Sequence, residues 1–192
     1  MLVRLPVQIL VNNLVRCKSI HNILKMAGGR KEFEELLERL EITSHTIEHP
    51  EVFTVETMMP YLGEAKGAVC KNLFLKDKKK KGLWLVCTLA EKQVNLTDLA
   101  KKVSAPGGFR FADESLMVEK LGVGQGCATG YSIFNDTNQD VKLILDEELT
   151  DSGKHEMIYF HPMVNSASTG MTPDDFLKFA KETGHEPIVV KF

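Results

Sequence analysis

The sequence predicts a single α/β domain built on a mixed, largely antiparallel sheet flanked by helices. Apolar strand-like runs outnumber amphipathic helical ones. Several follow one another with only a short turn between them, and no repeat or interdomain linker divides the 192 residues.

Each element has a local reason. Phe33, Leu36, Leu37 and Leu40 recur at helical spacing and predict an amphipathic helix over 31–40. Residues 43–48 alternate as a strand before the break at His49-Pro50. Thr54 with Glu56 and Thr57 opens a short helix through Met59. Residues 68–76 and 83–89 are strands separated by a turn at 77–82, a hairpin with a lysine-rich tip. Asn95 caps a helix over 96–103. A short strand spans 109–111, and Asp113 caps a helix ending at Leu121. A glycine-rich loop covers 122–130. Residues 131–135 and 141–145 read as strands joined by a polar turn, and 157–160 as another strand, with a proline closing it at 162. Thr172 as N-cap and Pro173 at the first helical position start a helix that runs to Gly184. Residues 187–191 close the chain as a strand.

Composition bounds the function. Hydrophobic residues make up 43% and charged residues 26%, ordinary for a globular domain, and the formal net charge is −2. General electrostatic attraction to nucleic acid is thereby excluded, so any RNA contact has to come from a local basic patch. Cys17, Cys70, Cys87 and Cys127 form neither a CxxC pair nor a Cys/His ligand spacing. They read as reduced thiols in a reducing compartment, with no metal site and no cofactor expected. No apolar run is long enough to span a bilayer. Residues 1–31 lack Asp and Glu but carry Arg4, Arg16, Lys18, Lys25, Arg30 and Lys31. Residues 1–29 are either a poorly ordered extension, with a cytoplasmic protein, or a mitochondrial presequence. The folded domain is expected over 30–192.

Three segments could carry chemistry. His161, Asn165, Ser166, Ser168 and Thr169 fall within nine residues, an imidazole, an amide and three hydroxyls that could recognise a small polar group. The plain alternative is a loop that satisfies its own backbone. Lys71 shares a strand face with Leu73 and Leu75, either snorkelling from an edge strand or standing as a fixed cation at a pocket mouth. The loop Gly122-Val-Gly-Gln-Gly-Cys-Ala-Thr-Gly130 is not a P-loop and lacks the context of a dinucleotide fingerprint. It is either a connector or a backbone cradle. Lys76, Lys78, Lys79, Lys80 and Lys81 crowd the hairpin tip, extended by Lys101 and Lys102. They form a solvated turn or an RNA-backbone contact. His45 and His49 read as surface or packing residues.

Taken together, Lys71-Asn72-Leu73-Phe74, the loop around Gly126–Gly130 and His161-Pro-Met-Val-Asn-Ser-Ala-Ser-Thr resemble the prolyl-tRNA synthetase editing (YbaK-like) superfamily. Glu48-His49-Pro50 and Val55-Glu56 add to that likeness. Within the superfamily, the chain is most similar to the free-standing alanyl-tRNA(Pro) deacylases. The resemblance implies metal-independent hydrolysis of the ester joining a wrong amino acid to the 3′ end of tRNA, with alanine on tRNA(Pro) as substrate. Prolyl-tRNA synthetase is a further implied partner, and neither DNA nor a membrane is expected. By position, Lys71 is the family's essential lysine, and Gly126 to Gly130 its backbone loop for the terminal adenosine and carbonyl. His161, Asn165 and Ser168, with Ser166 and Thr169 beside them, shape a small aminoacyl pocket that would admit alanine and exclude proline. A terminal ribose hydroxyl is expected to help activate water. Gly130 stands where the family carries proline, so a less preorganised loop is expected.

Overall fold

The structure, a computed structural model, describes residues 27–52, 54–63, 67–79, 82–105 and 107–192. Residues 1–26, which hold most of the expected extension or presequence, lie outside the described residues, as do Lys80 and Lys81.

Helix α1 (Arg30–Arg39) buries Phe33 and Leu37. Its Arg30 guanidinium binds Glu34 (2.7 Å) and both carboxylate oxygens of Glu48 (2.5 and 3.1 Å), tying the helix to β1 (His45–Glu48). Ahead of the helix, Gly28 exchanges two hydrogen bonds with the Asn135 side chain (2.6 and 2.9 Å). Helix α2 (Val55–Leu62) starts at a Thr54 cap. The hairpin of β2 (Ala68–Asp77) and β3 (Leu83–Leu89) follows as expected. The carboxylate of Asp77 closes its turn by accepting the N–H groups of Lys79 and Gly82 (both 3.1 Å). Asn95 accepts from the Thr97 and Asp98 N–H groups (3.0 and 3.2 Å) to start α3 (Leu96–Lys102). Then come β4 (Phe109–Phe111), α4 (Glu114–Leu121), β5 (Val141–Asp146), β6 (Ile158–Phe160), β7 (Ala167–Met171), α5 (Pro173–Glu182) and β8 (Ile188–Val190).

Two expectations need correction. Residues Gly130–Asn135 form a 3₁₀ helix, not a strand. Thr129 dictates this: its side chain accepts the Tyr131 N–H, and its carbonyl accepts both the N–H and the hydroxyl of Ser132. The second half of the polar cluster is a strand rather than a loop. Ala167 to Met171 form β7, all five residues buried, paired with β1 on one side and β6 on the other. Small side chains hide this strand from a periodicity reading, and Gly170 is there because the Tyr159 ring lies against it, 2.5 Å from where a Cβ would stand.

The sheet runs β1-β7-β6-β2-β3-β5-β8, with β4 also pairing β2. β1/β7, β6/β7, β2/β3 and β2/β4 are antiparallel, whereas β2/β6, β3/β5 and β5/β8 are parallel. One face carries the main core with α1, α4 and α5. There Tyr131 stacks on Phe33 (centroids 4.5 Å apart) among Phe160, Phe176 and Phe179, and its hydroxyl donates to the Thr169 carbonyl (2.9 Å). The other face packs α3 on Leu75, Trp84, Val86 and Ile144, and α2 near Val69 and Ile47. Cys70 and Cys87 are buried free thiols, pushed up in pKa by that burial. Among the described residues no helix is long and apolar enough to cross a membrane.

The end of α5 is fixed by a buried pair. Asp136 accepts the Val141 N–H (2.6 Å) and lies 3.2 Å from Nε2 of His185. Burial pushes the Asp136 carboxyl up, but His185 and the N–H groups outweigh it and hold the pKa below the ordinary value. A carboxyl with a depressed folded pKa stabilises above its unfolded pKa and loses that contribution as pH falls through the folded one. Asp136→Ala is therefore expected to cost about 1–3 kcal/mol at neutral pH. Thermal melts from pH 7 to 2 should show the gap to wild type closing only below about pH 4.

Candidate active site

The site begins as a gap in the sheet. One edge of β2 pairs β3 from Cys70 to Lys76. The other edge pairs β6 only at Ala68 and Val69, and β4 only from Leu75 onward. Between them residues 70–73 have no strand partner on that edge among the described residues, and at Phe74 the edge is engaged again by the Ala112 N–H (3.0 Å). The cause is local to Pro162. The Met163 N–H turns back to the His161 carbonyl (3.0 Å), a tight turn centred on a residue whose ring fixes φ near the required value. That turn pulls the chain away from β2. Tyr159 shares a face with its partner Val69, and two residues on His161 lies on that same α2-facing side as Lys71, its ring centroid 5.9 Å from that of His49. Two sequence-predicted residues 90 positions apart thus share one face of the sheet.

Lys71 faces the α2 side. Its ammonium donates to the carbonyls of Ala90 (2.9 Å) and Lys92. The loop supplying them is anchored by Lys92, which binds buried Asp146 (2.9 Å) and Glu148 (2.8 Å). Beside it, under α2, lies a cavity of about 420 Å³ lined by Val55, Met59, Val69, Leu89, Ala90 and His155. It is far larger than the small alanine pocket expected and lies in the range of small-molecule sites, roughly 300–1,000 Å³. Its volume alone does not separate alanine from proline.

His161 places Nδ1 2.8 Å from the Ala167 carbonyl. A carbonyl only accepts, so Nδ1 carries the proton and Nε2 presents a lone pair. Burial lowers the pKa, with a small further lowering from His49, against the raising effect of the Ala167 carbonyl. His49, expected at the surface or in packing, is a packing residue. It is buried, its Nδ1 lies 2.8 Å from the Pro50 carbonyl, its Nε2 lies 3.0 Å from Ser168 Oγ, and its ring stacks on Tyr61. Ser168 is 1% exposed and also touches Met58 Sδ (3.2 Å), so it braces α2 and does not line an open pocket. Thr169 is likewise spent on Thr46 (2.8 Å). Asn165 and Ser166 are half-buried and make no side-chain hydrogen bond to the described residues, while their carbonyls hold Val52 and His49.

The glycine loop approaches from the opposite face. Gly126, at φ +85, is the third residue of a turn closed by the Cys127 N–H on Gly124 (3.1 Å), a position that favours glycine. Glu114 pins the loop through the Gln125 N–H (2.9 Å). Cys127 meets the backbone of Asn165, and burial raises its thiol pKa. Gly130 sits in the core. A Cβ there would stand 3.0 Å from Phe176 and 3.2 Å from Cys87 Sγ, so close packing, rather than looseness, accounts for glycine. The structure does not bring Gly130 to Lys71. The residue between them is Asn72, whose strand partner is Cys87 and whose Oδ1 is buried without a partner.

The lysines divide. Lys76 is committed to Asp113, which explains why that residue makes no capping hydrogen bond to α4. Lys102 is bound to the Lys191 carbonyl. Lys78 and Lys101, the latter paired with Asp98 (3.1 Å) at the helix surface, line a groove of about 620 Å³ with Ser104 and Gly107, and the Lys79 stem packs on Gly107. Among the described residues no three His, Cys, Asp or Glu side chains gather as a metal site.

This sheet, with its lysine, histidine and glycine loop, defines a class. The chain belongs to the aminoacyl-tRNA editing domain family, which matches residues 49–179. It is 55% identical to prolyl-tRNA synthetase associated domain-containing protein 1 of Bos taurus over 170 residues, covering 87% of this chain and 98% of that protein. It is 28% identical to the prolyl-tRNA editing protein ProX of Acetoanaerobium sticklandii over 149 residues, covering 78% and 88%. A solved structure of a candidate trans-editing enzyme for prolyl tRNA synthetase superposes with a TM-score of 0.63 at 19% identity, over 84% of this chain and 94% of that one. At that identity the likeness shows the fold alone.

The lowered pKa of His161 is open to direct measurement. A ¹⁵N-detected titration of the imidazoles is expected to find it neutral at pH 7, protonated at Nδ1, with a midpoint below about 6.5. A midpoint above that value would mean the ring is not desolvated as placed.

Proposed function

We propose that this protein is a trans-editing deacylase that hydrolyses mischarged tRNA, with Ala-tRNA(Pro) as its principal substrate. The observation that carries this reading is the placement of Lys71 and His161 on one face of the sheet where β2 and β6 part, in a chain of the editing-domain family. An aminoacyl ester is already labile, so orientation and carbonyl polarisation can suffice. Lys71 would anchor the terminal nucleotide or draw the ester carbonyl, exchanging a backbone acceptor for it. The neutral Nε2 of His161 offers an acceptor beside the ester. Asn165 and Ser166 have free side chains to complete the contact. Water adds to the ester carbon, the bond to the ribose oxygen breaks, and the proton of water ends on that oxygen.

Deacylation of Ala-tRNA(Pro) is the test, with Pro-tRNA(Pro) as control. Lys71→Ala is expected to fold and to lose about 10²–10³ in rate, the usual cost of one electrostatic stabiliser. Unchanged turnover would remove Lys71 from the chemistry. A second reading has one observation in its favour: the Lys71 ammonium already holds two carbonyls. On that view the protein binds tRNA, or a synthetase complex, without turnover. Tight tRNA binding with an intact ester would select it.

The lysine groove supplies a separate expectation. If Lys78 and Lys101 meet RNA phosphates, the double variant Lys78→Gln/Lys101→Gln should flatten the slope of log Kd against log salt by about 1–2. An identical slope would take the groove out of the binding surface.

A further inference from the structure

Asn72 makes no side-chain hydrogen bond to any described residue, and its Oδ1 is buried. A polar group kept in that state loses its hydration and gains nothing in the fold. Its neighbours on the same face of β2 are Cys70 and Phe74, both buried in the main core. A leucine of similar size would suit that setting better. The amide sits at the gap: its own strand edge is unpaired, its cross-strand partner is Cys87, and Cys87 in turn abuts Gly130. Lys71, one residue earlier, faces the other side. A ligand lying in the gap therefore has an unbonded amide on one side and, on the other, a cation that would exchange the carbonyls of Ala90 and Lys92 for it.

The chemistry of that ligand follows from the pair. On the deacylase reading, on which this inference rests, the ligand is an aminoacyl ester of a terminal ribose. Its ammonium is repelled by Lys71, and its carbonyl is drawn to that cation. The remaining polar group beside the ester oxygen is the vicinal ribose hydroxyl, which both donates and accepts. A carboxamide does the same, and with no bond to lose it can turn end for end about its last torsion. We propose that Asn72 binds the free ribose hydroxyl next to the ester and so orients the ester across the gap.

The experiment uses two hydrolysis-resistant probes, 3′-alanylamido-3′-deoxyadenosine and its 2′-deoxy counterpart, titrated into the full chain. Wild type is expected to bind the hydroxyl-bearing probe about tenfold more tightly, the worth of one good hydrogen bond. Asn72→Leu should erase that ratio while melting at or above the wild-type temperature, because it removes a buried unpaired carbonyl. A purely structural asparagine would instead lower the melting temperature. Asn72→Ala reads the same ratio should the leucine variant fail to fold. The proposal is overturned if wild type does not distinguish the probes, if it binds neither, or if the ratio survives in the variants. Failure of the deacylase reading shows up separately, as an intact ester on Ala-tRNA(Pro) with the probe ratio still measurable.

Discussion

A backbone turn at Pro162 governs the rest of the site. Strand β6 starts alongside β2 in regular parallel register and leaves it after two residues, because Met163 bonds back to His161. Had the pairing continued, the edge of β2 would be filled and Lys71 and Asn72 would be ordinary mid-sheet residues. The turn also restricts His161, since a residue before proline is held extended. Its ring is then fixed through Nδ1 on Ala167. One tight turn thus opens the gap and aims the imidazole.

The core makes that opening tolerable. A strand with one edge half unpaired needs support from its faces, and β2 has it on both. Cys70 and Phe74 enter the aromatic core, while Leu75 and Trp84 pack under α3. Tyr131 ties this core to the site by donating to Thr169 of β7. Ser168, one residue away, then meets His49 and Met58 on the far side. Strand β7 is thus the plate between a dry aromatic face and a face of histidines, and its small residues are what both faces can pack against.

Much of this was legible in the sequence, and the exceptions have physical causes. Hairpin, caps and helices follow from spacing and from Thr54, Asn95 and Thr172, whose signals are local. The strand over Ala167–Met171 was hidden because alanine, serine, threonine and glycine give no apolar alternation, and its burial comes from neighbours distant in sequence. Tyr131 and Ile133 look like a strand, yet Thr129 captures the first amides and winds the segment. Lys71 and His161 were visible as motifs, but the face they share was not. Packing was legible for His49, but a histidine before a proline carries no sign that its partner will be Ser168, 119 residues on. Orphaned Asn72 Oδ1 is a property of three-dimensional surroundings alone.

Strand β2 also sets a length scale. Lys71 lies near its start and Lys78 just past its end, and an extended chain advances about 3.3 Å per residue, so the backbones of the two lysines are about 23 Å apart. A stacked nucleic-acid strand advances about 3.4 Å per nucleotide, so that separation corresponds to about seven nucleotides. A chain end held at the gap would therefore meet Lys78 well back from its terminus, beyond a short single-stranded overhang and alongside a paired stem. Were a nucleic acid bound in that way, the length of strand β2 would set how far from its end the backbone is first felt.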